Sequence, residues 1–307
     1  MLKAVIDVGT NSVKYLLAEV CCGGDPAVIK DIVSITRLGE GLLQSGQIAT
    51  QALSRTALAV DGFAADAKSC GAKNIRIVGT MALRMASNSA DFLSRVRELT
   101  GIDAEVLSGE DEAVLSFLGA VSGFDLSDVG RYCTIDAGGG STEIVFAEKG
   151  KIVCTASLKT GALFLTDRYF LKDELSPKDL MRAEHELKGL FEEVKPPFNI
   201  GLAVGIGGNV TTMASVCKRM ERYDPGEAHG TVLKEYEIDR QITEYLSKNH
   251  EERRKIRGLD PERADIILAG ACITRHAMRF CGCREIVVSE RGLRHGILFR
   301  MTGRYKC

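Results

Sequence analysis

The stretch Ile135-Asp136-Ala137-Gly138-Gly139-Gly140-Ser141-Thr142-Glu143 decides the fold. An apolar run from Tyr132 to Ile135 reads as a buried strand ending on an acid. Three glycines then strip the turn of Cβ atoms, and Ile144-Val145-Phe146 resumes a strand. Such a hairpin can lie against a phosphate, because its N–H groups converge and no side chain blocks the approach. Asp136, at the strand end, is placed to position a metal ion or a water beside that phosphate.

The pattern recurs at the start of the chain. Ile6-Asp7-Val8-Gly9-Thr10-Asn11-Ser12 aligns with Ile135 to Ser141, and Ala18-Glu19 falls on Ala147-Glu148 without a gap. An offset of 136 − 7 = 129 residues is too long for a solenoid repeat and indicates two duplicated α/β domains. The break is expected in the Gly/Asp/Ser-containing link Ser122 to Gly130, giving domains 1–125 and 126–307, with the C-terminal helix a candidate to complete the first.

The elements between follow the same logic. Apolar residues at helical spacing mark Thr50 to Cys70, ending at Gly71, and Ile75 to Val78 is a strand leading into a Gly79-Thr80 turn. After the short strand Glu105 to Leu107, Ser108-Gly109-Glu110-Asp111-Glu112 opens a helix. A capping serine and the helix dipole account for Glu110 and Asp111. Glu112 lies past the cap and is free to point inward. In the second half, Leu202 to Ile206 runs into a third glycine turn, Gly207-Gly208-Asn209, before a helix. Asp260-Pro261 marks a helix start, with the helix expected to run to about Phe280. Cys21 to Pro26 reads as a turn.

At 307 residues with 45% hydrophobic and 26% charged content, the chain has the makeup of a soluble globular protein of roughly two domains. No signal peptide precedes the first strand and no apolar run would span a bilayer, so a cytoplasmic protein without membrane attachment is expected. Its ten cysteines are scattered except for Cys21-Cys22 and Cys281-Gly282-Cys283, and form no pair of CxxC knuckles. They read as reduced, small apolar side chains. A net charge of −1 argues against nucleic acid as a partner. From Glu251 to Cys307, however, 13 Lys/Arg stand against 7 Asp/Glu, a local balance of +6. That suggests a basic track near Arg291 and Arg294 for an extended anion.

The Asp-Gly turns and Gly205-Ile206-Gly207-Gly208 resemble the two phosphate motifs and the adenosine motif of the actin, sugar-kinase and heat-shock-chaperone superfamily. Within it, the chain resembles the exopolyphosphatase/guanosine pentaphosphate phosphohydrolase family. The resemblance rests on Ile6 to Ser12, Arg37 to Leu42, Ala82-Leu83-Arg84, Ser108 to Ala113, Asp136 to Glu143, His229-Gly230, Pro261 to Asp265 and Gly292-Leu293-Arg294. It implies two ribonuclease-H-like domains with the active site in the cleft between them, in the short two-domain form. Two departures stand out: the family often carries Thr where Asn209 stands, and Ser or Thr where Met81 stands.

The implied reaction is metal-assisted, in-line attack of water on a terminal phosphoanhydride of inorganic polyphosphate or guanosine pentaphosphate. Glu112 is the implied general base, with Arg84 beside it. Phosphates would lie on Gly9, Thr10, Asn11, Ser12, Gly138, Gly139, Gly140, Ser141, Thr142, Gly207, Gly208 and Asn209, assisted by Arg37, Arg84 and Arg291. Asp7, Asp136 and Glu143 would hold Mg²⁺ or Mn²⁺, and a homodimer is expected. Two rival readings remain open: an ATP-dependent kinase of a small metabolite, with Gly205 to Asn209 taking the nucleoside, and a non-catalytic binder of alarmone or polyphosphate.

Overall fold

A computed structural model describes residues 1–20, 26–192 and 194–302. Cys21-Cys22 and most of the turn expected at Cys21 to Pro26 lie outside the described residues, as does Cys307. The chain divides into two compact units: Met1–Gly119 with Gly292–Cys307, and Ala120–Arg291. The break therefore falls a few residues before the expected 125/126 boundary. The last helix lies in the first unit.

In the first unit, strands β1 (Leu2–Val8), β2 (Ser12–Glu19) and β3 (Ala27–Ile35) form an antiparallel meander. Strands β4 (Asn74–Gly79) and β5 (Ala104–Val106) add parallel to β1, giving the order β3-β2-β1-β4-β5. Helices α1 (Leu42–Ser45), α2 (Thr50–Ser69), α3 (Met81–Met85), α4 (Ser89–Thr100) and α5 (Gly109–Val121) fill the connections. As the capping signature required, Ser108 Oγ accepts from the Asp111 N–H at 3.0 Å, and Glu112 is 8% exposed while Glu110 and Asp111 face solvent.

The second unit repeats the scheme. Strands β6 (Arg131–Ala137), β7 (Thr142–Glu148) and β8 (Lys151–Leu158) make the meander, and β9 (Leu202–Ile206) pairs parallel to β6. The helices are α6 (Ala162–Tyr169), α7 (Pro177–Glu192), α8 (Gly208–Cys217), α9 (Pro225–Ala228), α10 (Glu235–Leu246), α11 (His250–Arg253) and α12 (Ile267–Phe280). Strands β10 (Val232–Lys234) and β11 (Glu285–Val288) complete the order β10-β11-β9-β6-β7-β8. Helix α13 (Leu293–Met301) belongs to the first unit, where Leu293, Ile297 and Leu298 pack on Val5, Leu16 and Val78. Three antiparallel strands followed by parallel strands and intervening helices, present twice, are the expected duplicated ribonuclease-H-like fold.

One helix differs from its sequence reading. Asp260 caps the N–H of Glu262 as expected, but Pro261–Arg263 is a 3₁₀ turn and α12 begins only at Ile267. The tighter turn carries the Arg263 side chain under Gly208, where it is buried.

Candidate active site

The duplicated hairpins share one backbone device. The Gly9 N–H donates to Ser12 O at 2.9 Å, and the Gly138 N–H donates to Ser141 O at 2.9 Å. These two glycine amides close the turns and so are not the phosphate donors expected of them. Among the described residues no backbone acceptor takes the N–H groups of Thr10, Asn11, Gly139 or Gly140, which are the donors the turns present.

Each turn is braced from behind. In the first unit, Asn11 O accepts from the N–H groups of Thr36 and Arg37, and Thr10 O from that of Gly39. Arg37 reaches this bond with φ of 49°, a left-handed backbone. In the second unit, the Ala162 and Leu163 N–H groups at the start of α6 donate to Gly138 O and Gly139 O. A methyl group at Gly161 would overlap the Gly139–Gly140 peptide, so only glycine lets the two segments touch. Sequence reasoning gave Gly161 no such role.

The side chains then separate the two copies. Residue pairs directly across an antiparallel ladder carry their side chains on one face, with Cβ atoms roughly 5 Å apart. Across the first hairpin Asp7 pairs with Lys14, whose Nζ lies 3.6 Å from Asp7 Oδ2. Across the second, Asp136 pairs with Glu143, which also accepts from Ser157 Oγ at 3.0 Å. One hairpin is internally neutralised; the other sets two carboxylates side by side. A divalent cation fits the second pair, since Mg²⁺ is commonly bound by one or two carboxylates and completes its shell with water and phosphate oxygens. No group of three or more His, Cys, Asp and Glu that could hold a metal ion occurs among the described residues. Asp7 retains a buried Oδ1 without a hydrogen-bond partner, and its Oδ2 faces Lys14 Nζ.

The third glycine turn serves Asp136. Gly207 has φ of 89°, and a Cβ there would sit 2.7 Å from Asp136 Oδ1. The N-terminus of α8 can thus approach the carboxylate, which its dipole favours. Gly208 is covered by the Arg263 guanidinium, whose pKa burial lowers while Asp260 opposes the shift. Asn209 donates to Ala137 O at 2.7 Å and lies against Gly270, so its side chain supports the Gly138 turn from inside the unit. Thr142 likewise donates its hydroxyl to Thr160 O at 2.7 Å. Asn209 and Thr142 therefore hold the scaffold of the turn with their side chains, and the expected phosphate contact of Thr142 was through its backbone amide. Asn11 is the opposite case: its buried amide has neither Nδ2 nor Oδ1 bonded to protein.

Glu112 is held by Arg84. The Arg84 Nη1 donates to Glu112 Oε2 at 2.7 Å and to Leu107 O at 2.8 Å, in a largely buried pair. Arg84, expected on phosphate oxygens, acts first as the group that orients the candidate base.

A model of the Ppx/GppA phosphatase family matches residues 19–305. The chain belongs to the Ppx/GppA phosphatase family. It is 30% identical to exopolyphosphatase 2 of Mycobacterium tuberculosis, over 98% of either chain. It is 31% identical to a bifunctional 3-dehydroquinate synthase/phosphatase of Fusobacterium nucleatum, matching 94% of this chain but only 45% of that protein. The crystal structure of the Aquifex aeolicus Ppx/GppA family member superposes with a TM-score of 0.82 at 30% identity, over 99% of this chain and 98% of that one.

Several arginines of the expected basic track take partners within the fold. Arg294 makes a bidentate pair with Asp31, both bonds at 2.8 Å. Arg291 Nη1 donates to Ser122 O at 2.8 Å. Arg275 meets Glu184 and Asp239, Arg279 meets Glu235, and Arg257 meets Glu221. Acids that pair with these arginines lie upstream in the sequence, so a charge count over the C-terminal window omits them. No described helix is long and apolar enough to cross a membrane.

Proposed function

We propose that this chain is a phosphoanhydride hydrolase that releases terminal phosphate from inorganic polyphosphate. The observation carrying the reading is the buried Glu112 carboxylate, fixed by Arg84 at the start of α5. A third acid in a helix start has no capping role, and a buried, oriented carboxylate is what a general base requires. Family membership and the exopolyphosphatase relative supply the substrate class.

In this mechanism the Thr10, Asn11, Gly139 and Gly140 amides bind phosphate oxygens, and the Asn11 side chain adds a donor and an acceptor. Asp136 and Glu143 would hold Mg²⁺ or Mn²⁺, which supplies charge neutralisation for the phosphate chain. Glu112 Oε accepts the proton of the attacking water while Arg84 keeps the carboxylate in place. The leaving phosphate chain departs in line with the incoming oxygen.

The test is phosphate release from long polyphosphate and from guanosine pentaphosphate, side by side, with and without Mg²⁺. Mg²⁺-dependent release from polyphosphate at the higher kcat/KM is expected. A marked preference for the nucleotide would move the chain to the other named activity of the family, and release from neither would end the hydrolase reading.

A further inference from the structure

The two phosphate turns are braced by different means, and only one brace supports itself. In the second unit the segment after β8 becomes helix α6 at once. The Ala162 and Leu163 N–H groups that hold Gly138 O and Gly139 O are the first of that helix, and the Leu165 N–H donates back to Gly161 O. In the first unit the segment after β3 forms no helix before Leu42. Thr36, Arg37 and Gly39 offer their N–H groups to Asn11 O and Thr10 O from an irregular stretch, and Arg37 does so at a left-handed φ of 49°. A residue with a Cβ stays in that region where surrounding contacts over-determine it.

Those contacts come from α2. Arg55 Nε donates to Thr36 O, and Arg55 Nη2 donates to Arg37 O at 3.3 Å and to Glu40 Oε2 at 2.9 Å. The Glu40 N–H also donates to Arg37 O, at 3.1 Å. One guanidinium thus grips the carbonyl side of the same two residues, Thr36 and Arg37, whose N–H groups hold Asn11 O. A rigid, planar fork of donors suits that grip. Peptide planarity carries it to the phosphate turn. Thr10 O and the Asn11 N–H share one plane and point in opposite directions. Fixing Thr10 O against the Gly39 N–H therefore aims the Asn11 N–H away from the brace. Fixing Asn11 O sets the next plane in the same way.

We propose that Arg55 is a positioning residue for phosphate binding: it staples the turn at residues 36–40, and that turn sets the direction of the Asn11 amide. The Arg55 side chain is 41% exposed and that of Glu40 57%, and an ion pair so exposed adds little to global stability. Loss of Arg55 therefore separates the aim of the amide from the folding of the unit. The effect on phosphate rests on the hydrolase reading, whereas the staple does not.

The full chain carrying Arg55→Ala or Arg55→Lys is compared with wild type by hydrogen exchange of peptides covering residues 36–40, by thermal melt, and by steady-state phosphate release from long polyphosphate with Mg²⁺. Arg55→Ala should exchange faster at Thr36, Arg37 and Gly39. It should raise KM about tenfold, as the loss of one well-aimed hydrogen bond does, with kcat within a few-fold and the melt displaced by at most a few degrees. Arg55→Lys should resemble Arg55→Ala, because an ammonium keeps the charge opposite Glu40 but not the fork. Full recovery with lysine would assign the effect to charge and overturn the staple. Unchanged exchange in Arg55→Ala overturns it as well, and faster exchange with wild-type KM overturns the link to phosphate. Should wild type bind polyphosphate without turning it over, calorimetry replaces KM, and the same weakening of Kd keeps the positioning role while the hydrolase reading falls. No binding by wild type removes the phosphate role with that reading, and exchange still decides the staple.

Discussion

Replacing Glu112 by Gln removes the basic oxygen while keeping the side-chain volume. The Gln carbonyl can still accept from Arg84 Nη1, which in the native chain sits 2.7 Å from Glu112 Oε2 and 2.8 Å from Leu107 O. The charge-assisted bond becomes a neutral acceptor's bond, and Arg84 keeps its backbone partner. The guanidinium donor stays charged and hydrogen-bonded but loses its counter-charge in a largely buried pair, so a stability loss of about 1–3 kcal/mol is expected. The catalytic loss should be larger. A positioned base contributes about 10²–10⁴-fold in rate, or roughly 3–5 kcal/mol of barrier. The assay is steady-state phosphate release from polyphosphate with saturating Mg²⁺, paired with a thermal melt. A fall in kcat of at least about 100-fold, with a melt displaced by only a few degrees, supports the base. Turnover within a few-fold of wild type, with the same small shift in the melt, would falsify it and leave the Glu112–Arg84 pair as a structural brace. Glu110→Gln is the control, since that exposed acid should cost a few tenths of a kcal/mol through the helix dipole and little rate.

Three other outcomes follow from the geometry. Excess chelator should abolish phosphate release and Mg²⁺ or Mn²⁺ should restore it, with Asp136→Asn and Glu143→Gln raising the half-saturating Mg²⁺ more than Asp7→Asn does; full activity in chelator would remove the metal. Gly207→Ala forces a Cβ to 2.7 Å from Asp136 Oδ1 at φ of 89°, so kcat should fall and stability should drop by about 1 kcal/mol or more, and a variant with wild-type kcat would show that the approach to Asp136 is unimportant. His276, in α12, is pushed down to about 4 by burial, with Arg275 and Arg279 adding to the shift. The unfolded chain therefore binds the extra proton first, so this histidine's contribution is intact above about pH 6.5 and is lost as pH falls towards 4. Melts of wild type and His276→Gln between those values should converge as pH falls, and parallel curves would assign the acid sensitivity to other groups.

Much of this architecture is legible in the sequence because it is set by short-range rules. The 129-residue offset carries the duplicated hairpin, since a strand, a glycine turn and a strand are specified by neighbours. The burial of Glu112 followed from counting three acids where the cap and the dipole explain two. Even the contrast between the hairpins was latent: the offset that maps Asp7 onto Asp136 maps Lys14 onto Glu143. It became visible only when the ladder register placed those residues opposite one another.

Other features were decided by tertiary contacts between residues far apart in the chain. Arg294 is paired with Asp31, 263 positions upstream, so a charge count over a C-terminal window leaves out the acid that meets it. Gly207 was expected against phosphate and Gly161 was given no role, yet each is required by a distant segment, Asp136 in one case and the Gly139–Gly140 peptide in the other. Asn209 and Thr142 looked like ligand groups because they border glycine turns, and the fold turns both side chains to backbone carbonyls. Strand and turn identity depends on a few adjacent residues, whereas side-chain partners depend on packing that brings remote segments into register. The sequence therefore determined where the glycine turns and their acids stand, and the tertiary structure decided which of those acids faces a lysine and which faces a second acid.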